Sequence, residues 1–298
     1  MKLDHSAIET KEVLSWKGLH LLNFSQSSCS QKVRILLSEK QLAYSSREIN
    51  LKKLEHTTSW YLGINARGVV PVLIDDGDVH IESNDILGYL DERYPSEQSW
   101  IPQGEEQAQT ARELLALEDQ LHPDLRVVTM GFLAPAKMMA KSEEELAAYL
   151  ANGPEDAYRL EQIAWWREFG RNGINEQQAQ DAVLAFHAAF SRLEQLLAGR
   201  EWLVADHPTI ADIAWFINIH RLVLAGYPLA HHPSVEAYYR RMLARPAFAK
   251  EISKGPLPVR LLAPLYRLYR KISGTNLGKV YAEVFNDQTE AKVEGAAQ

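Results

Sequence analysis

Three hydroxyls and a thiol stand in a row at Ser27, Ser28, Cys29 and Ser30, between an apolar run over residues 19–24 and an amphipathic pattern over 33–40. The run reads as a strand; the pattern, with apolar side chains at i, i+3 and i+4, reads as a helix. The four side chains therefore sit where a strand hands over to a helix. The first turn of a helix leaves backbone N–H groups unpaired and carries partial positive charge, so it stabilises an anion formed there. A thiolate is such an anion, and a cysteine in that position has its pKa lowered. The chemistry favoured is the handling of sulfur.

A second group lies downstream. Glu82 and Ser83 put a carboxylate and a hydroxyl at the start of a helical pattern over 84–93 that Pro95 ends, with Ser83 as its expected N-cap. Pro71 interrupts the apolar run VVPVLI at 69–74, where a proline cannot donate to a sheet ladder. A cis Val70–Pro71 bond ahead of the strand accounts for it and exposes the backbone of Val70 to a ligand. His56 lies on a polar stretch, where a histidine is solvated surface unless it meets an anion.

Composition narrows the classes. The chain has 298 residues, 46% apolar and 24% charged, as in a globular protein of two ordinary domains. A net charge of −7 offers no field for nucleic acid or an anionic membrane. Its one cysteine excludes an internal disulfide and any cysteine-based zinc site, and no metal is expected. A functional thiol suits the reducing cytoplasm. The N-terminus lacks a signal-like apolar core, and no run approaches the ~20 apolar residues that span a bilayer. The expectation is a cytoplasmic protein with no nucleic-acid or membrane partner.

The order of elements from 19 to 95 is β–α–β–α–β–β–α, with strands expected at 19–24, 44–50, 69–74 and 79–81 and an irregular helix over 54–64. Asp76-Gly77 marks the hairpin turn. Beyond residue 100 the periodicity is helical, at 105–120, 143–151, 155–170, 176–198, 209–224 and 233–245. Thr209 and Asp212 read as a capping box. The division expected is a loosely held N-terminal extension (1–16), an α/β domain (17–96), a linker (97–103), an all-α domain (104–250) and a C-terminal extension (251–298). That extension contains VRLLAPLYRLYRKI, basic and amphipathic, a pattern that could lie on a membrane but is expected here to pack over the body of the protein.

Taken together, residues 18–250 resemble the glutathione transferases, with a thioredoxin-like α/β N-terminal domain and an all-α C-terminal domain. SSCSQKVRILL resembles the helix start of zeta-class enzymes, the maleylacetoacetate isomerases, and the segment of reductive dehalogenases in which a cysteine stands where Cys29 does. INARGVVPVLIDDGDVHIESNDILGYLDERYP resembles the family's proline loop and Glu-Ser pair, in wording close to the bacterial glutathione-dependent β-aryl-etherases. WLVADHPTIADIAW resembles the family's second-domain capping segment. The resemblance implies glutathione as cosubstrate. Ser83 and its helix start would take the γ-glutamyl carboxylate, Glu82 the ammonium, Val70 the cysteinyl backbone and His56 the glycyl carboxylate, while Pro71 shapes the loop. It implies a homodimer as well.

For the thiol, the resemblance puts the activating hydroxyl at Ser27. Ser28 could share that role, and Ser28 and Ser30 otherwise look like capping hydroxyls. Cys29 reads either as a second nucleophile, resolving a glutathione adduct through a mixed disulfide, or as a small buried hydrophobe. The usual Trp-Arg after the serine motif is replaced here by Gln31-Lys32. Trp165, Trp166, Tyr149, Met130 and Phe132 are candidates for the electrophile's pocket, or for core. The expected function is thiolate attack on an aromatic or other hydrophobic electrophile, β-aryl ether cleavage included. Reductive dehalogenation and maleylacetoacetate-type isomerisation are alternatives, and a non-catalytic binding module of the same fold is the competing class.

Overall fold

A computed structural model describes residues 1–152, 156–253 and 257–285. Glu155, the expected start of one helix, and the polar end 286–298 lie outside the described residues.

Four strands, β1 (Leu19–Asn23), β2 (Ser45–Glu48), β3 (Val72–Asp75) and β4 (Asp78–His80), form one sheet in the order β2-β1-β3-β4. β2 runs parallel to β1, whereas β3 is antiparallel to both β1 and β4. Alternation along the strands builds two layers. Leu19, Leu21 and Leu73 face helices α1 (Ser28–Glu39) and α3 (Ser83–Arg93), and beyond them the second domain. Leu22, Val72, Ile74 and Val79 face the opposite way, onto Tyr61 of the short helix α2 (Ser59–Leu62) and onto Ile8 and Val13.

That last contact corrects one expectation. Residues 1–15 are not loosely held: Ile8 and Val13 are fully buried, Leu3 N donates to Val79 O at 2.8 Å, and Met1 N reaches Ile81 O at 3.0 Å. The segment covers the sheet face that α1 and α3 leave open. The irregular stretch expected at 54–64 resolves into 3-10 turns at Leu51–Lys53 and Glu55–Thr57, followed by α2.

The rest is helical: α4 (Glu105–Gln120), α5 (His122–Phe132), α6 (Ala136–Met139), α7 (Glu143–Ala151), α8 (Ala157–Asn172), α9 (Glu176–Leu196), α10 (Ile210–Ala225), α11 (Pro233–Leu243), α12 (Pro246–Ile252) and α13 (Leu257–Ile272), with helical turns again over 277–285. α10 is the central element, buried nearly all round and packed on α1, α4 and α5. Its start is fixed by Asp212, which accepts from the backbone of Thr209 (2.7 Å) and of Leu203 (3.1 Å). α5 was not foreseen. Its Val127-Val128-Thr129 core and Gly131 are weak helix formers, and its start signal is one proline at the first turn, Pro123.

α13 lies on the body through half-buried Ala263, Tyr266, Arg267 and Arg270, while Leu262, Leu265 and Leu268 point to solvent.

Candidate functional site

The β1–α1 junction is shaped by hydrogen bonds around Ser27. This residue has extended backbone (φ −70°, ψ 126°), and its Oγ accepts from Ser30 N at 3.2 Å, so Ser27 is the N-cap of α1. Ser30 is buried, its Oγ accepting from Phe24 N at 3.3 Å. Capping therefore belongs to Ser27, and neither Ser28 nor Ser30 supplies it. Because the cap bond uses an oxygen lone pair, the Ser27 hydroxyl proton remains available to an acceptor.

Cys29 faces the second domain. Its Sγ is 3.6 Å from Nε2 of His122, the first residue of α5. The same imidazole nitrogen lies 3.5 Å from Oε1 of Glu118, whose other oxygen accepts from Lys32 Nζ at 2.6 Å. Lys32 and Glu118 are fully buried, whereas the His122 side chain is 35% exposed. Asn84 completes the group, accepting from Lys32 Nζ (3.2 Å) and donating to Glu118 (3.1 Å) and Asp119 (2.9 Å). Arg221 of α10 approaches from a third side, donating to Gln26 O at 2.6 Å and Gln31 Oε1 at 2.8 Å.

These charges decide protonation. Burial pushes the Cys29 thiol up, but the Lys32 ammonium and the hydrogen bond and charge of His122 outweigh it, and the net shift is downward. Burial pushes His122 down, yet its hydrogen bonds to Cys29 and Glu118 carry it up to about 10. Glu118, also penalised by burial, is held well below the carboxylate range by Lys32 and His122. The charges around the pair favour a thiolate facing an imidazolium. Glu118, Asp119 and His122 also meet the spacing for a metal site, but the Lys32 ammonium already supplies the positive charge at Glu118.

Glu82 and Ser83 lie at the start of α3. Glu82 occupies the cap position with φ +63°, rare for a residue with a side chain, and makes no side-chain cap bond. Ser83 is the first helical residue, so it is not the N-cap expected from the sequence. The first intrahelical bond, Ile86 N to Glu82 O at 2.9 Å, leaves the earlier N–H groups to other acceptors. The Glu82 carboxylate pairs with Arg67, both half-exposed. The Val70–Pro71 bond is cis, as the interrupted strand implied. Tyr61 OH (2.7 Å) and Asn65 Nδ2 (3.0 Å) both donate to Val69 O and hold the chain entering it.

His56 is not a solvated surface residue. Burial first, then the charges of Lys141 and Arg159, lower it to about 4, so it is neutral at neutral pH within a positive field. Arg159 is buried and donates to Tyr149 O at 2.5 Å. Of the residues considered for the electrophile's pocket, Tyr149 and Phe132 are core, and Trp165 stacks on Phe169 with the Arg126 guanidinium 4.0 Å over the Trp165 ring.

Residues 26–93 match the glutathione S-transferase N-terminal domain, and residues 176–241 match the glutathione S-transferase C-terminal domain. The chain belongs to the glutathione transferase superfamily. Among its relatives, LigF of Sphingobium sp. strain SYK-6 is 26% identical over 248 residues, spanning 80% of this chain and 94% of LigF. The solved structure of that protein, a β-etherase, superposes with a TM-score of 0.69 over 80% of this chain and 99% of that one. The maleylacetoacetate isomerase of Pseudomonas aeruginosa is 24% identical over 77% of this chain and 93% of its own. The tetrachloro-p-hydroquinone reductive dehalogenase of Sphingobium chlorophenolicum is 24% identical over 76% and 93%. The transferase fold thus brings an α/β and a helical domain together at the N-terminus of α1.

Sequence reasoning had noted Lys32 only as a departure from a family dipeptide, and had passed over Glu118, His122 and Arg221. Glu118 and His122 are one turn apart, with Pro123 after the histidine. That proline was the available signal that a helix starts there and that His122 stands at its end.

Proposed function

We propose that this transferase binds glutathione along its first domain and directs the glutathione thiolate onto an aromatic or other hydrophobic electrophile, with β-aryl ether cleavage as the first substrate class to test. The observation that carries this reading is the β1–α1 junction. Ser27 caps α1 through a lone pair and keeps its proton, so its hydroxyl is placed to donate to a thiolate at the helix start. Ser28 lies beside it in the first turn. Ser83, with Glu82 and Val70, would hold the peptide's γ-glutamyl and cysteinyl parts. The glycyl carboxylate would meet His56 in the field of Lys141 and Arg159, and would itself raise the pKa of that histidine. As in the family, a two-fold dimer is the proposed assembly, testable by light scattering.

The deciding experiment is calorimetry with glutathione on the wild type and Ser83→Ala, followed by turnover of an aryl halide and a β-aryl ether. The reading requires glutathione binding that weakens by about 1–3 kcal/mol in the variant. Unchanged affinity would reduce Ser83 to a structural residue, and no binding or turnover by the wild type would make the protein a non-catalytic module.

A second reading is favoured by the His122–Cys29 contact. A thiolate beside an imidazolium is equipped to attack the sulfur of a glutathione adduct. A Cys29–glutathione disulfide forms as the carbon leaves with its electron pair and takes up a proton; a second glutathione then frees Cys29 by disulfide exchange, as a reductive dehalogenase needs. Mass spectrometry of the products of Cys29→Ser separates the two. Intact conjugation supports the first reading, and a trapped glutathione–product adduct supports the second.

A further inference from the structure

Helix α13 is amphipathic and mounted in an unusual sense. Its half-buried side, Ala263, Tyr266, Arg267 and Arg270, repeats at i, i+3, i+4 and i+7 and rests on the protein. Arg270 fixes the helix there, donating to Gly131 O at 2.6 Å and lying 4.4 Å over the Phe132 ring. The opposite side carries Leu262, Leu265, Leu268, Tyr269 and Ile272, each between 53% and 78% exposed. These are five of the nine large apolar side chains exposed among the described residues, so this is a concentrated patch and not scattered surface leucines. The helix has sixteen residues and is thus about 24 Å long. No helix among the described residues is long and apolar enough to cross a membrane.

What covers the stripe is constrained by charge. The segment has four basic residues and no acidic one, in a chain that is acidic as a whole; Lys271 is exposed beside the stripe, while Arg267 and Arg270 flank it from the side that rests on the body. The partners of Arg270 are carbonyls and a hydroxyl, which leave its charge uncompensated. A second copy docked on the same face would set two such segments against each other and repel. Residues 286–298 hold a single large aliphatic side chain, Val293, and so offer little apolar surface. An apolar surface bearing negative charge satisfies both features. The geometry points to the outer face of α13 as a docking surface for an anionic lipid bilayer, the helix lying in the interface plane with its leucines in the acyl boundary and Tyr269 and Lys271 at headgroup level. The expectation of a protein without a membrane partner rested on net charge, missing spans and packing of this helix over the body, none of which decides which face the helix turns outward.

The test is flotation of the whole protein with vesicles of phosphatidylcholine alone and of phosphatidylcholine mixed with phosphatidylglycerol. Flotation with the mixed vesicles, lost at about 1 M salt where the Debye length is near 3 Å, is expected. Leu265→Glu and Leu268→Glu are exposed changes that leave the fold intact by circular dichroism, and each should weaken partitioning at least about tenfold. Lys271→Glu should weaken it at least about fivefold. Wild-type protein that stays with the soluble fraction for both vesicle types would overturn the proposal. So would a dimer in light scattering that Leu265→Glu dissociates without any vesicle binding, since the stripe would then belong to a second copy. Glutathione binding by the wild type is measured separately and bears only on the transferase reading.

Discussion

Helix α1 carries two buried cations two positions apart, hence on nearly opposite sides, and each meets an acid from the helical domain. Lys32 meets Glu118 at 2.6 Å and Arg34 meets Glu251 at 2.6 Å, all four side chains at most 4% exposed. The resemblance ends there. Arg34 spends its remaining donors on the β1–α1 loop, on Asn23 Oδ1, on Phe24 O (3.2 Å) and on Ser25 O (2.8 Å), so every bond serves position. Glu118 passes its second oxygen to His122 and through it to Cys29, so that pair ends on a group that can react. A buried ion pair is poor evidence of stability taken alone. Here the two differ in where their spare hydrogen-bonding capacity goes, and that separates a scaffold from a site.

The largest test removes the acids. Glu118→Gln and Glu251→Gln each strand a buried cation and should each cost about 3–5 kcal/mol in urea unfolding. The comparison predicts that only Glu118→Gln also changes the reactivity of the single thiol toward iodoacetamide; equal effects would erase the distinction.

Next in size is the acid response, which contrasts His122 with the histidines held neutral. Burial lowers His80 and His232 to about 4 and His220 to about 3. Below the unfolded value of 6.5 the unfolded chain binds protons that the folded chain refuses, so stability falls as pH drops from 6.5 toward 4. At pH 5 the loss should be about 2 kcal/mol per histidine, read from urea midpoints at pH 7 and 5. The His122–Cys29 pair behaves differently. His122, penalised by burial but raised on balance by Cys29 and Glu118, contributes stability that is full below 6.5 and lost as pH rises toward about 10. Cys29, pushed up by burial but lowered on balance by Lys32 and His122, contributes stability that is full above 9.0 and lost as pH falls.

His122→Asn isolates the electrostatic link. Cys29 should lose its imidazolium, its pKa should move back toward 9.0, and alkylation at pH 7 should slow about tenfold while the fold persists. A pH–rate profile for alkylation that matches the wild type would mean Lys32 and the helix start suffice. The smallest effect is expected from Arg34→Lys, which keeps the charge but loses the fork to the loop carbonyls. About 1 kcal/mol of stability should go, with the thiol's pH profile unmoved.

Much of the fold was legible in the sequence where its signals are local. Strand alternation, the Asp76-Gly77 turn, the proline inside an apolar run and the Thr209–Asp212 cap each involve residues within a few positions of one another, where backbone sterics and one or two hydrogen bonds decide the outcome. The serine row could be placed at a helix start for the same reason. Which serine caps could not, since Ser27 and Ser28 differ by one residue and the choice rests on backbone angles. Ser83 was taken as a cap on the same pattern, and Glu82 took that position with a left-handed φ that sequence preference disfavours.

The charge state of Cys29 was beyond reach for a different reason. His122 is 93 positions away, on a helix whose β-branched middle hides it from periodicity. Its role exists only because α5 is packed beside α1. The direction of α13 is similar: its amphipathic pattern was plain, but a pattern states that two faces differ, not which one the protein keeps. Arg270, which finds the Gly131 carbonyl and the Phe132 ring on the body, holds the helix with its leucine side outward. Local chemistry thus follows from neighbours in sequence, while protonation and exposure follow from neighbours in space, because Coulomb energy and solvation depend on distance and burial alone.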